Sequence, residues 1–351
     1  MKKSIVGLIV LSLITASVAG CKKDKAKQTN ANVEEKTKYI DIVACGDNLY
    51  HKTVIDSGLQ SDGSYDYSDI YEEIQPIVED ADIAIIGQET VFGGKSAGYS
   101  GYPMFNTPDE VGDALVECGY DVVLHASNHV MDKFSSGVER TLEFWEDYPD
   151  VTVLGIHPDE DHDDEVEIYE EDGVKIAMLN YTYDTNGIEV PEDKEYLVEL
   201  IDEDNIESDA KYAEENADFT IAFMHWGVEY STTPSEEQEE LAEKMADWGV
   251  DLIIGSHPHV VEPVEWITTD EGNEILVYYS LGNFVSRQTD IINLLGGMAQ
   301  VTLKSEKGKV TIDDYAFKPV VTYYNYGASG FKVYPLSDYT NEIASTHGLG
   351  A

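Results

Sequence analysis

A chain of 351 residues that is 42% hydrophobic and 10% aromatic has enough apolar side chain for one large globular domain or two modest ones. Its 69 acidic residues against 22 basic ones give a formal charge of -47, which excludes a nucleic-acid partner, because phosphate binding needs clustered Lys and Arg. The same balance gives a solvated surface and makes cations better company than anions. In chain order the first feature is "MKKSIVGLIVLSLITASVAGCKK": two lysines, an apolar run from Ile5 and small residues up to Cys21. The run falls short of the roughly 20 residues a helix needs to cross a bilayer, so residues 1–20 are expected to be a secretory signal and the chain to be exported.

The end of that run, "VAGC", resembles a bacterial lipobox. The resemblance implies cleavage before Cys21, lipid modification of its thiol, and an extracytoplasmic protein anchored to the bacterial cell membrane. Lys22 to Lys38 contains one valine and no aromatic residue, too little apolar surface to fold, so 21–38 is expected to be a disordered tether. As a flexible chain it would average about 23 Å end to end. Its six lysines favour an anionic surface that repels the acidic remainder. The other cysteines, Cys45 and Cys118, each follow apolar residues and fit buried free thiols as well as a disulfide.

From Tyr39 onward, short apolar runs alternate with segments that carry helix signals. The runs are "YIDIVAC", "ADIAIIG", "YDVVLHA", "VTVLGI", "VKIAMLN", "DFTIAFM", "VDLIIG" and "EILVYYS". Helix starts are expected at Thr107-Pro108, Ser136 and Thr233-Pro234, each a hydroxyl residue with a glutamate three positions on. Apolar runs bounded by polar turns indicate sheets covered on both faces, hence an α/β architecture. From about Gly297 the sequence alternates around a Lys-Gly turn, as antiparallel strands do.

In open α/β sheets function gathers at the carboxyl ends of strands. Here those ends deliver Asp47, Asn48 and His51, then Glu89, then Asn128 and His129, then His225, and finally His257 and His259. Carboxylate, amide and imidazole converging on one rim make the mixed nitrogen and oxygen site that Zn, Mn or Fe prefers. In His257-Pro258-His259 the proline biases His257 toward an extended conformation, where residues i and i+2 point the same way. Both imidazoles are therefore expected to face one metal site. His125 lies inside an apolar run and fits a buried core histidine better than a ligand. His157 and His162 lie in an acidic stretch that fits a solvated loop.

The ordered set "GDNLYH", "GQET", "ASNHVMD", "HWGVEY", "GSHPHV" and "YSLGNF" resembles the CapA/PgsA poly-gamma-glutamate capsule synthesis family, whose domain is similar to the calcineurin-like metallophosphoesterases. The resemblance covers about Tyr39 to Arg287. It implies a four-layer αββα sandwich of metallophosphatase type over 39–290, with 291–351 as a short C-terminal β extension and tail. It implies one or two divalent transition metal ions, Mn, Zn or Fe. By position, Asp47 and His259 would bind the first, Glu89 would take the place of a bridging aspartate, and Asn128, His225 and His257 would bind the second. His129 would steady or protonate a leaving group, with Asp132 either orienting it or capping a helix.

Two positions depart from the superfamily pattern. Where it has a histidine two residues after the first aspartate this chain has Leu49, which leaves His51 as the nearest imidazole, and a glutamate, Glu89, stands where an aspartate is usual. Glu229 is expected either to accept a hydrogen bond from a ligand imidazole or to make a surface contact, and Asn283 to bond the rim or shape its turn. Arg287, one of two arginines, is expected to hold an anionic substrate group, since a planar guanidinium grips carboxylate or phosphate with two donors. The implied role is synthesis, export or anchoring of an anionic poly-gamma-glutamate polymer, with a membrane-bound polymer synthase as partner. Two alternatives stand beside it: a metal-dependent hydrolase of phosphoesters or amides in another envelope substrate, and a non-catalytic accessory lipoprotein.

Overall fold

A computed structural model of the protein describes residues 36–163 and 166–349. The expectations for the signal, for Cys21 and for most of the tether lie outside the described residues. Among those described, no helix is long and apolar enough to cross a membrane.

The strands fall into two sheets. The first contains β1 (Lys38–Asn48), β2 (Ile83–Gly87), β3 (Val122–Leu124) and β4 (Thr152–Leu154), all parallel. The second contains β5 (Glu167–Glu171), β6 (Val174–Thr182), β7 (Phe219–His225), β8 (Leu252–Ser256), β9 (Val264–Thr268) and β10 (Glu274–Tyr278). Its order is β5-β6-β7-β8-β10-β9, parallel at the centre with antiparallel edges. A short β11 (Asn283–Val285) then crosses back to pair with the end of β1. Finally β12 (Leu295–Glu306), β13 (Lys309–Asn325) and β14 (Ser329–Pro335) extend the first sheet, giving β14-β13-β12-β1-β2-β3-β4. The expected terminal strands are thus a continuation of the sheet that carries β1.

Strand periodicity builds the layers. On β1, Ile40, Ile42 and Ala44 point between the sheets, where they meet Ile176, Phe223 and Ile254 of the second sheet. Val43 and Cys45 point the other way, into a core shared with Val54, Leu115 and Trp145 from the covering helices and with Ile74 from the turn before Gln75–Val78. On the far side Met224, Ile253 and Val277 pack against Ile206, Leu241 and Met245 from helices Glu203–Asn216 and Glu236–Trp248. The result is a four-layer αββα sandwich. Each fully buried aliphatic side chain contributes about 1.5–3 kcal/mol. Cys45 and Cys118 are buried free thiols.

The helix starts differ from expectation. Helix Glu110–Cys118 begins after Asp109, and Thr107 is instead buried against Thr90. Ser136 lies inside helix Phe134–Trp145. For Glu236–Trp248 the cap is Ser235, two residues beyond Thr233, and Gln238 completes a capping box. A glutamate three residues after a hydroxyl fits several registers, and tertiary contacts chose among them.

Candidate metal centre

Asp47 owes its position to a close approach of two strands. β1 pairs in parallel with both β2 and β11, and its register shifts between Cys45 and Asp47. A Cβ on Gly46 would stand 2.1 Å from the carbonyl oxygen of Gly282, so only glycine lets β11 come this near. The irregularity re-aims the side chain that follows. Asp47 is buried, and its Oδ2 accepts from the His257 backbone N–H at 3.3 Å and from His259 Nδ1 at 3.2 Å.

Glu89 follows β2, and ligand atoms of Asp47, Glu89 and His259 lie within 4.8 Å of one another. Both Glu89 carboxylate oxygens are buried without a hydrogen-bond partner, a costly state for an ionised group unless a cation completes it. Burial raises the Glu89 carboxyl above the usual carboxylate range, the His259 charge opposes that rise, and Asp47 adds to it. Burial alone lowers His259, but Glu89 and Asp47 outweigh it and hold this imidazole at about 9. Asn283, opposite Asp47 on β11, accepts from His259 Nδ1 through its Oδ1 at 3.1 Å and donates through Nδ2 to the carbonyls of His259 and Asn293.

The remaining strand ends meet beside this group. His225 Nε2 donates to Asn128 Oδ1 at 2.9 Å, its Nδ1 receives Ser256 Oγ at 3.1 Å, and that nitrogen stands 3.9 Å from Asp47 Oδ1. The His225 and His257 rings are 4.9 Å apart, and His257 Nδ1 is buried without a partner. Burial pushes His257 down to about 3, with the His259 charge assisting, and burial with His257 beside it holds His225 well below its ordinary value. Both are therefore neutral imidazoles, and the unpartnered Nδ1 of His257 has a lone pair to offer.

His129 donates from Nδ1 to Asp132 Oδ2 at 2.8 Å, and the same oxygen accepts from the Phe105 backbone N–H. Asp132 thus orients His129. Burial lowers His129, yet the Asp132 hydrogen bond and the Glu89 charge raise it overall.

Other placements depart from expectation. His257 and His259 have φ of 99° and 58°, so "HPH" is a left-handed turn and no extended segment, although the two rings still face one region 5.9 Å apart. The turn is held by the bond from His257 N–H to Asp47, which local preference does not encode. Glu229 is exposed and accepts from no ligand imidazole among the described residues, since His225 uses Ser256 and Asn128 instead. His51 lies outside the carboxylate group: it packs edge-on to Phe105, and its Nδ1 accepts from Arg287 N–H at 3.3 Å. Leu49 is core. His125 accepts from Trp145 Nε1 in the core, and His157 pairs with Glu199. Sequence reasoning missed Asn186, whose side chain reaches both Asn128 and His129 from an exposed Asn-Gly turn. The dipeptide signals a turn but not its destination.

The family described as bacterial capsule synthesis protein PGA_cap matches residues 41–288. The chain is 34% identical over 185 residues to the PGA biosynthesis protein CapA of Bacillus subtilis (strain 168), covering 50% of this chain and 44% of that one. It is 31% identical over 186 residues to the capsule biosynthesis protein CapA of Bacillus anthracis, covering 51% and 43%. These matches span less than half the length of either relative. Among solved structures, a 5'-nucleotidase precursor from Thermus thermophilus superposes with a TM-score of 0.51 at 12% identity, over 81% of this chain and 54% of the other. The NAD nucleotidase of Haemophilus influenzae gives 0.51 at 14%, over 88% and 55%. At such identities the likeness is one of fold.

Proposed function

Because this chain belongs to the bacterial capsule synthesis protein PGA_cap family, we propose that it works in the making, export or anchoring of an anionic capsule polymer, as a lipoprotein held at the membrane through Cys21. The reaction we propose is metal-dependent cleavage of a phosphoester or amide at the rim just described. One observation carries this reading: the buried Glu89 carboxylate, with neither oxygen hydrogen-bonded and only His259 Nε2 within ion-pair distance at 3.9 Å, in reach of Asp47 and His259. Such a donor set suits a divalent cation. Asp47, Glu89 and His259 would hold one ion, and Asn128, His225 and His257 a second.

A bound ion would supply an acidified water and polarise the oxygen of the bond to be cleaved. The chain's own groups do the rest. His129, oriented by Asp132 and, against the lowering effect of burial, raised above its ordinary value by that hydrogen bond and the Glu89 charge, is placed to give a leaving group its proton. Phe105, edge-on to His129 with centroids 4.6 Å apart, shields that imidazole from water. Asn283 and Ser256 fix the rotation of His259 and His225. The His129–Asp132 pair favours a catalytic over a purely accessory role. A membrane-bound polymer synthase is the partner this reading requires.

The test is the metal content of full-length protein purified without chelator. One to two divalent ions per chain are expected, with Glu89→Gln and His257→Ala each lowering the number. Wild-type protein that stays free of metal after loading would sink the reading.

A further inference from the structure

Arg287 follows β11 and forms part of the wall beside the centre: its backbone N–H binds His51, and its neighbour Gln288 bonds both Asn283 and the Tyr230 hydroxyl. The side chain behaves differently from the only other arginine. Arg140 is engaged by Asp109 and Glu143, as expected where acidic residues outnumber basic ones 69 to 22. Among the described residues, the Arg287 guanidinium has no carboxylate within ion-pair distance and donates no hydrogen bond, and its Nε is buried without a partner. It is held only by stacking, its central carbon 4.3 Å from the centroid of the Tyr324 ring on β13.

Tyr324 also carries a second unused donor. The His347 imidazole packs perpendicular to the same ring with centroids 4.9 Å apart. Its Nδ1 is bonded to the Tyr339 hydroxyl at 2.7 Å, while its Nε2 is buried without a partner. Burial and the Arg287 charge both lower His347, so it is neutral and can present Nε2–H. A pre-stacked guanidinium has already lost much of the rotamer freedom that binding would otherwise cost.

We propose that Arg287 and His347, both packed against the Tyr324 ring, form an oxyanion subsite beside the metal centre that grips a carboxylate or phosphate group of the substrate. The inference deepens the reading above by naming a charged handle on the substrate. It explains how so acidic a protein binds an anion: the repulsion is overcome at one point by donors that no protein carboxylate has claimed. It also gives the C-terminal strands a part in recognition, since Tyr324 and His347 come from them and from the tail that follows.

The test uses full-length protein in excess chelator, so that it does not depend on the metal centre. The protein is titrated calorimetrically with a gamma-glutamyl tripeptide and, separately, with inorganic phosphate. Wild type is expected to bind at least one probe, and which one identifies the source of the oxyanion. Arg287→Gln should weaken that binding about tenfold or more, the loss of a charge-assisted pair. Arg287→Lys, which keeps the charge but loses the planar fork, should fall between. His347→Gln should weaken it less than Arg287→Gln and supplies the answer if the latter fails to fold. Equal affinity of wild type and the Arg287 variants, or no binding of either probe by wild type, overturns the proposal. A protein that takes up no metal yet shows this ranking keeps the subsite and loses the metal reading.

Discussion

His125 sits among Phe92, Phe144 and Trp145, accepting the Trp145 indole N–H at Nε2 over 2.8 Å, and burial pushes it down to about 3. In the unfolded chain it titrates near its ordinary 6.5. Below that pH the unfolded state takes a proton that the folded state refuses, so stability is lost as pH falls from about 6.5 toward 3. From this group alone the folded state should be about 2 kcal/mol less stable at pH 5 than at pH 7. Urea unfolding at both pH values checks this, and His125→Gln should flatten that part of the slope. The same scale holds a second expectation: Asp132→Asn should lower the His129 pKa, read by the shift of its imidazole protons with pH. The identity of most of these residues was legible because strand ends concentrate polar side chains. Their hydrogen-bond partners were not, since Asn186 and Phe105 reach the site from distant loops, and no local rule connects Asp132 to the backbone of Phe105.

Among elements, helix Glu236–Trp248 offers a direct test of register. Ser235 accepts from Gln238 N–H, and the Gln238 side chain accepts from Ser235 N–H. Ser235→Ala should therefore cost about 1 kcal/mol in thermal or urea unfolding. Thr233→Ala should cost less than about 0.5 kcal/mol. The reverse ranking would restore the cap expected from sequence. All eight apolar runs proved to contain strands, because a run of aliphatic residues bounded by turns has few other ways to bury both faces. Helix caps and the "HPH" turn were less legible. A capping pattern repeats at more than one offset, and a left-handed histidine is stabilised by a contact 210 residues away.

For the whole molecule, charge matters most. A formal charge of -47 repels itself in any compact state, and the repulsion is screened over about 8–10 Å at physiological salt. The unfolding midpoint should rise when sodium chloride is added to a low-salt buffer at pH 7. A midpoint that does not move would mean that the acidic residues are spread too evenly to interact. The layered class was legible in the alternation of strands and helices. The order of the strands was not, because pairing between β1 and β12 joins segments more than two hundred residues apart, and sequence pattern is silent about such distances.

That pairing also dictates a timetable. β1, which carries Asp47, is flanked on one side by β2 and on the other by β12, and its last residues are also clasped by β11. A polypeptide produced or threaded from its amino end has β1 and β2 early, but lacks the opposite flank until nearly the whole chain has emerged. Contacts this remote in sequence close slowly. Until they do, the strand bearing Asp47 has an open edge, and Asp47, Glu89 and His259 cannot take up their final arrangement. Assembly of the centre is thus a late event that reports the arrival of the last strands.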